Sequence, residues 1–242
     1  MNKRTFSEFC GIMDILLGEG GCPWDRMQTH ASLVATFLEE AYEVVEAIHR
    51  GEALGYTPGV VDNFKEELGD VLLHVVFQAA LAQKEGLFDV HDVVDAISQK
   101  LIRRHPHVFA RAESTEGATP EAVLAKWEEI KQKEHEGEGV AERMRDIPKA
   151  LPALMRAQKV LKLDRYSESL DAEFSEFSLA LEKLEASASN TDGNLEKEEA
   201  LGCLLFCAVK IAGFMGISAE MSLTNAIETF INRFESNTCI DS

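Results

Sequence analysis

Apolar residues return at helical spacing along the chain. Phe37, Leu38, Ala41, Val44, Val45 and Ile48 fall on one face; Phe64, Leu68, Val71, Leu72, Val75 and Val76 on a second; Val93, Val94, Ile97 and Leu101 on a third. Each set predicts an amphipathic helix. A fourth helix is expected from Pro120 to about Glu136, because Ser114, Thr115 and Thr119 ahead of Pro120 are start signals and Leu124, Trp127 and Ile130 share a side. Gly137 and Gly139 end it. The stretch from Ile147 to Leu163, with Pro148 and Pro152 near its start, reads as a connector leading into another helix. No segment sustains the alternation of a half-buried strand, so the expected fold class is all-α.

The pattern then repeats. An offset of 133 places Glu40 on Glu173, Glu43 on Glu176, Glu66 on Glu199, Leu68 on Leu201, Gly69 on Gly202 and Leu72 on Leu205. Further on, an offset of 129 places Leu101 on Phe230, Ile102 on Ile231 and Arg104 on Arg233. Two tandem helical bundle modules are therefore expected, residues 1–140 and 141–242. Gly51 to Asp62 is expected to be the loop between the first two helices of the first copy, and Ala186 to Asn194 its counterpart in the second.

Acidic residues interrupt the apolar pattern in register. Glu40 and Glu43 are three apart and project from one helix face, with Glu39 beside them; Glu67 and Asp70 do the same on the next helix, where Leu68, Val71 and Leu72 are expected to face the core. Two readings stand at this point. The carboxylates are a solvated face of a Glu-rich protein, or they hold a divalent cation that offsets their mutual repulsion. Magnesium fits the second, since it takes oxygen ligands and keeps waters that can be oriented toward a phosphate. His74, one turn after Asp70, is expected as a surface histidine rather than a ligand.

Charge sharpens the choice. With 42 acidic against 24 basic side chains the net charge of the 242-residue chain is −18, which opposes contact with nucleic acid or anionic membranes. An anionic substrate then needs a metal escort. No run approaches the ~18 apolar residues of a membrane span, and the first 17 residues lack the unbroken apolar core of a signal peptide, so a cytoplasmic protein is expected. The five cysteines form no metal-knuckle or disulfide spacing; Cys203 and Cys207 read as small buried apolar residues.

Several segments together resemble the MazG family: Gly21-Cys22-Pro23-Trp24-Asp25 with Gln28-Thr29-His30, Leu38 to Glu43, Glu66 to Leu72, and Arg103-Arg104-His105-Pro106-His107-Val108-Phe109. Ile147-Pro148 and Leu151 to Gln158 are similar to the two-copy members. The resemblance implies an all-α fold and magnesium-dependent hydrolysis of nucleoside triphosphates to monophosphate and pyrophosphate, with manganese as the alternative ion and a homodimer as the assembly. It implies Glu40, Glu43, Glu67 and Asp70 as metal ligands and Glu39 as a further ligand or the base that orients water. Lys100 and Arg104 match phosphate-contacting positions, and Trp127 and Lys131 resemble a base-stacking aromatic and a phosphate-binding lysine; a core anchor is the other reading of Trp127. Trp24 is expected to pack the N-terminal loop on the bundle, and His105 and His107 to cap a helix end or partner phosphate.

The second copy departs from this set. It has Ala172 for Glu39, Ala200 for Glu67, Cys203 for Asp70 and Thr229 for Lys100, and it ends without a counterpart of the Trp127–Lys131 helix. A structural or dimer-forming role is expected there. The rival to catalysis is a degenerate nucleotide-binding or interaction module without turnover, and a purely structural bundle ranks last because it leaves the clustered acids unexplained.

Overall fold

Thr5 opens the first helix with a reciprocal cap: its hydroxyl accepts from the Glu8 N–H at 3.3 Å, and the Glu8 carboxylate accepts from the Thr5 N–H at 2.7 Å. The Thr5 N–H, and then the Thr5 hydroxyl donating to the same carboxylate at 3.0 Å, hold the Glu8 carboxyl below its ordinary range. The computed structural model describes residues 3–109, 119–164, 169–188 and 194–238, where all regular structure is helical. The chain falls into two compact units, Met1–Lys131 and Gln132–Ser242.

The first unit contains α1 (Phe6–Leu17), α2 (Pro23–Arg26), α3 (Val34–Leu54), α4 (Pro58–Lys84), α5 (Val90–Arg104), α6 (Pro106–Phe109) and most of α7 (Pro120–Lys133). The long α3 and α4 pack as an antiparallel pair, with α1 and α5 against α4. Met13 and Leu17 of α1 meet Leu33 and Val76, Phe77 and Leu81 of α4 in the buried core. Helix α1 thus supplies much of the core, although Glu8 and Asp14 break its apolar pattern.

The linker between α3 and α4 is shorter than the Gly51–Asp62 loop expected from sequence. Helix α3 continues to Leu54 and α4 begins at Pro58. Gly51 is buried in α3, where a Cβ would overlap the Tyr56 ring that folds back on it. Pro58, at the first helical position, gives up an N–H that would have no partner there anyway. Ser114 and Thr115 lie outside the described residues, but Thr119 does cap α7, its hydroxyl accepting from the Ala122 N–H at 3.3 Å.

The second unit contains α8 (Val140–Arg145), α9 (Ala153–Asp164), α10 (Leu170–Ala188), α11 (Asn194–Phe214) and α12 (Ala219–Thr238). Its α10 and α11 pair as α3 and α4 do, and α9 packs on α11 as α1 packs on α4. The repeat extends to single hydrogen bonds. Leu87 N–H donates to Ala82 C=O at 3.0 Å across Gly86 (φ 72°), and Ile217 N–H donates to Ala212 C=O at 2.9 Å across Gly216 (φ 72°). Both are left-handed helix stops that a side chain would strain. Among the described residues no single helix is long and apolar enough to cross a membrane; α11 and α12 reach that length only as a pair bent by 105°.

Leu68 and Leu72, expected in the core, are 46% and 41% exposed, so that expectation is corrected. The residues of α4 that turn inward are His74, Val76, Phe77, Ala79, Leu81 and Ala82. Phe37, Leu38, Val45 and Ile48 on α3 and Ile97 and Leu101 on α5 are likewise exposed. Helical period identifies an apolar stripe but not what covers it. Trp24 is 60% exposed rather than packed on the bundle, and of the cysteine pair Cys207 is buried while Cys203 is exposed.

Candidate metal centre and substrate recess

The antiparallel pairing of α3 and α4 brings Glu40 and Glu43 together with Glu67 and Asp70, 24 to 30 residues later in sequence. One carboxylate oxygen each from Glu40, Glu67 and Asp70 lies within 4.8 Å of the others, and all three residues are half-buried. Glu43, one turn beyond Glu40, joins the group: a hydrogen bond with Glu67, then the charges of Glu40 and Glu67, push its carboxyl above the ordinary 4.5. A shared proton is what such a cluster adopts when no cation balances it. Glu39 is exposed at the margin.

Two further residues of α4 bear on the cluster, Asn63, which the sequence does not single out, and His74, expected at the surface. The Asn63 amide donates to Glu67 Oε1 and steadies that carboxylate from one turn earlier on α4. His74 is 6% exposed, not a surface residue; its ring lies 5.6 Å from that of Phe37, and its buried Nδ1 has no hydrogen-bond partner among the described residues. The residue that would have signalled its burial is Phe37, but sequence alone does not say that they meet.

The cationic residues form a second group. Arg104, at the end of α5, places its guanidinium 5.3 Å from the centre of the Trp127 ring, and Lys131, one turn beyond Trp127 on α7, places its Nζ at 5.2 Å. Trp127 is half-buried and lines an open recess of about 540 Å³ with His105, Pro120, Val123 and Leu124. That volume suits a small organic ligand, and the lining is apolar. Lys100 is exposed one turn before Arg104. His105 caps α5 through its ring Nδ1, 2.7 Å from the Leu101 carbonyl, and stands 5.7 Å from the His107 ring. The first unit thus carries an all-oxygen acidic cluster on α3 and α4 and a recess whose aromatic wall is flanked by cations of α5 and α7.

Comparison with known proteins gives the family of the chain. The family model of the MazG nucleotide pyrophosphohydrolase domain matches residues 28–109, which include the acidic cluster, Lys100 and Arg104. The nucleoside triphosphate pyrophosphohydrolase of Escherichia coli K12 is 41% identical over 231 residues, 89% of this chain and 80% of that protein. A Thermotoga maritima protein named nucleoside triphosphate pyrophosphohydrolase/pyrophosphatase MazG is 36% identical over 233 residues, 95% of this chain and 84% of its own length. A Mycolicibacterium smegmatis nucleoside triphosphate pyrophosphohydrolase matches over 152 residues at 41% identity, 62% of this chain and 43% of that one. The fold is therefore that of an all-α nucleotide pyrophosphohydrolase. The chain belongs to the MazG family.

Proposed function

We propose that the chain hydrolyses nucleoside triphosphates to nucleoside monophosphate and pyrophosphate in the cytoplasm, using magnesium held by Glu40, Glu43, Glu67 and Asp70. The convergence of three half-buried carboxylate oxygens within 4.8 Å carries the reading. All donors are hard oxygens, the set magnesium takes, and manganese could replace it; the raised Glu43 carboxyl reports charge that a cation would balance. When bound, the ion supplies positive charge against the triphosphate and a water of lowered pKa.

The chain's own groups do the rest. Glu39, exposed beside the cage, accepts the proton of the attacking water or adds a ligand. Lys100 and Arg104 hold phosphate oxygens, the guanidinium with two donors at once, and Lys131 adds charge toward the departing pyrophosphate. Trp127 stacks on the base within the apolar recess. The N-terminal unit holds this machinery, and the C-terminal unit serves structure or assembly. The exposed apolar rows of α3, α4 and α5 are covered by a second copy of the chain in a symmetric dimer.

A pyrophosphate-release assay across a nucleotide panel, beside calorimetric titration with magnesium and a slowly hydrolysed triphosphate, tests the reading. Asp70→Asn is expected to abolish release, while Glu173→Gln in the second unit leaves it nearly unchanged. Binding without turnover in the wild-type chain would refute catalysis. Light scattering of the intact chain checks the dimer, and Leu68→Glu with Leu72→Glu is expected to yield monomer.

A further inference from the structure

The second unit buries a charge. Glu173 on α10 is 0% exposed, and its Oε2 lies 3.9 Å from Lys210 Nζ on α11. The same ammonium donates to Glu176 Oε2 at 2.6 Å. The bond to Glu176, aided by the charge of Glu173, raises the Lys210 amine against the burial that opposes its charge. By the offset of 133, Glu173 and Glu176 correspond to Glu40 and Glu43 of the acidic cluster. Lys210 corresponds to Phe77, a core residue of the first unit.

The other cluster positions have lost charge in step. Ala200 stands for Glu67 and Cys203 for Asp70, so two carboxylates remain where the first copy has four. Cys207, beside Cys203, is kept as a neutral thiol because burial, then its neighbour, raise its pKa. Four acids need multivalent compensation, whereas two acids and one ammonium differ by a single charge.

We propose that Lys210 has taken the place of the divalent cation in the C-terminal copy, clamping α10 to α11 through Glu173 and Glu176 so that this copy holds its retained carboxylates without metal. The inference rests on the reading of the N-terminal cluster as a metal site. A single ammonium offers three donors and no exchangeable coordination position, so the converted site gives structure and cannot present water to a phosphate.

The test silences the N-terminal response first. In a full-length Glu67→Gln, Asp70→Asn background, magnesium or manganese is expected to leave Tm unchanged. Adding Lys210→Met should lower Tm by about 5–10 °C and create a divalent-dependent recovery, as the two carboxylates then accept an ion. Adding Glu173→Gln and Glu176→Gln to Lys210→Met should restore Tm and abolish that recovery, which also separates the proposal from a simple failure to fold. Three results would overturn it: divalent stabilisation of the background with Lys210 intact, no change of Tm with Lys210→Met, or a fall in Tm that neither ion reverses. The same titration on the wild-type chain tests the N-terminal reading separately, since that response alone disappears with Glu67→Gln and Asp70→Asn.

Discussion

Replacing Glu67 by glutamine keeps the side chain's shape and an oxygen for Asn63 to donate to, but removes one of three charges gathered within 4.8 Å. At that separation two like charges repel by about 1 kcal/mol in water and about 3 kcal/mol at an effective dielectric of 20. Glu67 belongs to two such pairs, and half-buried groups are well screened, so the relief is about 2 kcal/mol. For a unit of this size that raises Tm of the metal-free protein by about 4–8 °C. Magnesium reverses the order, because the wild-type cluster gains a bound ion and the variant has lost a ligand. The melting curves are thus expected to cross: the variant is more stable in chelator, the wild type more stable in excess magnesium. Thermal scans in the two buffers at mildly alkaline pH, with pyrophosphate release measured alongside, read both signs. Equal stabilisation of both proteins by magnesium, or a lower metal-free Tm for the variant, would refute the reasoning.

The raised Glu43 carboxyl makes the metal-free protein pH-sensitive. The native state keeps a proton that the unfolded chain releases near the ordinary 4.5, so this stabilisation is complete below that pH and is lost as pH rises through the raised value. Glu43→Gln should flatten metal-free stability across that window, and calorimetry in buffers of different ionisation heat should detect the proton that magnesium expels. Trp127→Ala should raise KM for triphosphate by roughly 5- to 150-fold, from the ~1–3 kcal/mol of a base–aromatic stack, with kcat changed less and Trp127→Phe retaining most affinity in steady-state assays. Phe77→Ala, which empties a core position 4% exposed, should cost about 3–5 kcal/mol in denaturant unfolding while leaving the specific activity of the folded fraction intact.

The helices that carry the candidate site were legible because their signals are local. Glu40 with Glu43 and Glu67 with Asp70 each lie one turn apart, so their shared faces follow from spacing alone. What was not legible depends on tertiary packing. Helix α1 carries Met13 and Leu17, the centre of the core, yet two acids blur its pattern. Leu68 and Leu72 obey the period of a buried stripe and are still exposed, because the period says nothing of which neighbours cover it. His74 is expected at the surface and is buried, and nothing in the residues around Lys210 signals that α10 places Glu173 and Glu176 against it.

Helix α4 divides its work along its length, and the division explains where function could be built. From His74 to Ala82 it is anchored by α1 and buried; from Asp62 to Leu72 its surface is open and carries the carboxylates. A continuous helix transmits position but not burial, so the acids are held in register by a packed core one to three turns away without being desolvated by it. Half-burial is the useful condition for a cation cage: deeper, the uncompensated charges would unfold the metal-free chain, and shallower, the side chains would be too mobile to converge. In the second unit an acid of α10 goes deeper where the charge has been cut: Glu173 is fully buried, a depth Glu40 does not reach, and the Lys210 ammonium on α11 makes that depth tolerable. If the first cluster holds an ion as proposed, the two copies occupy opposite ends of one trade-off, exposure with an exchangeable charge against burial with a fixed one.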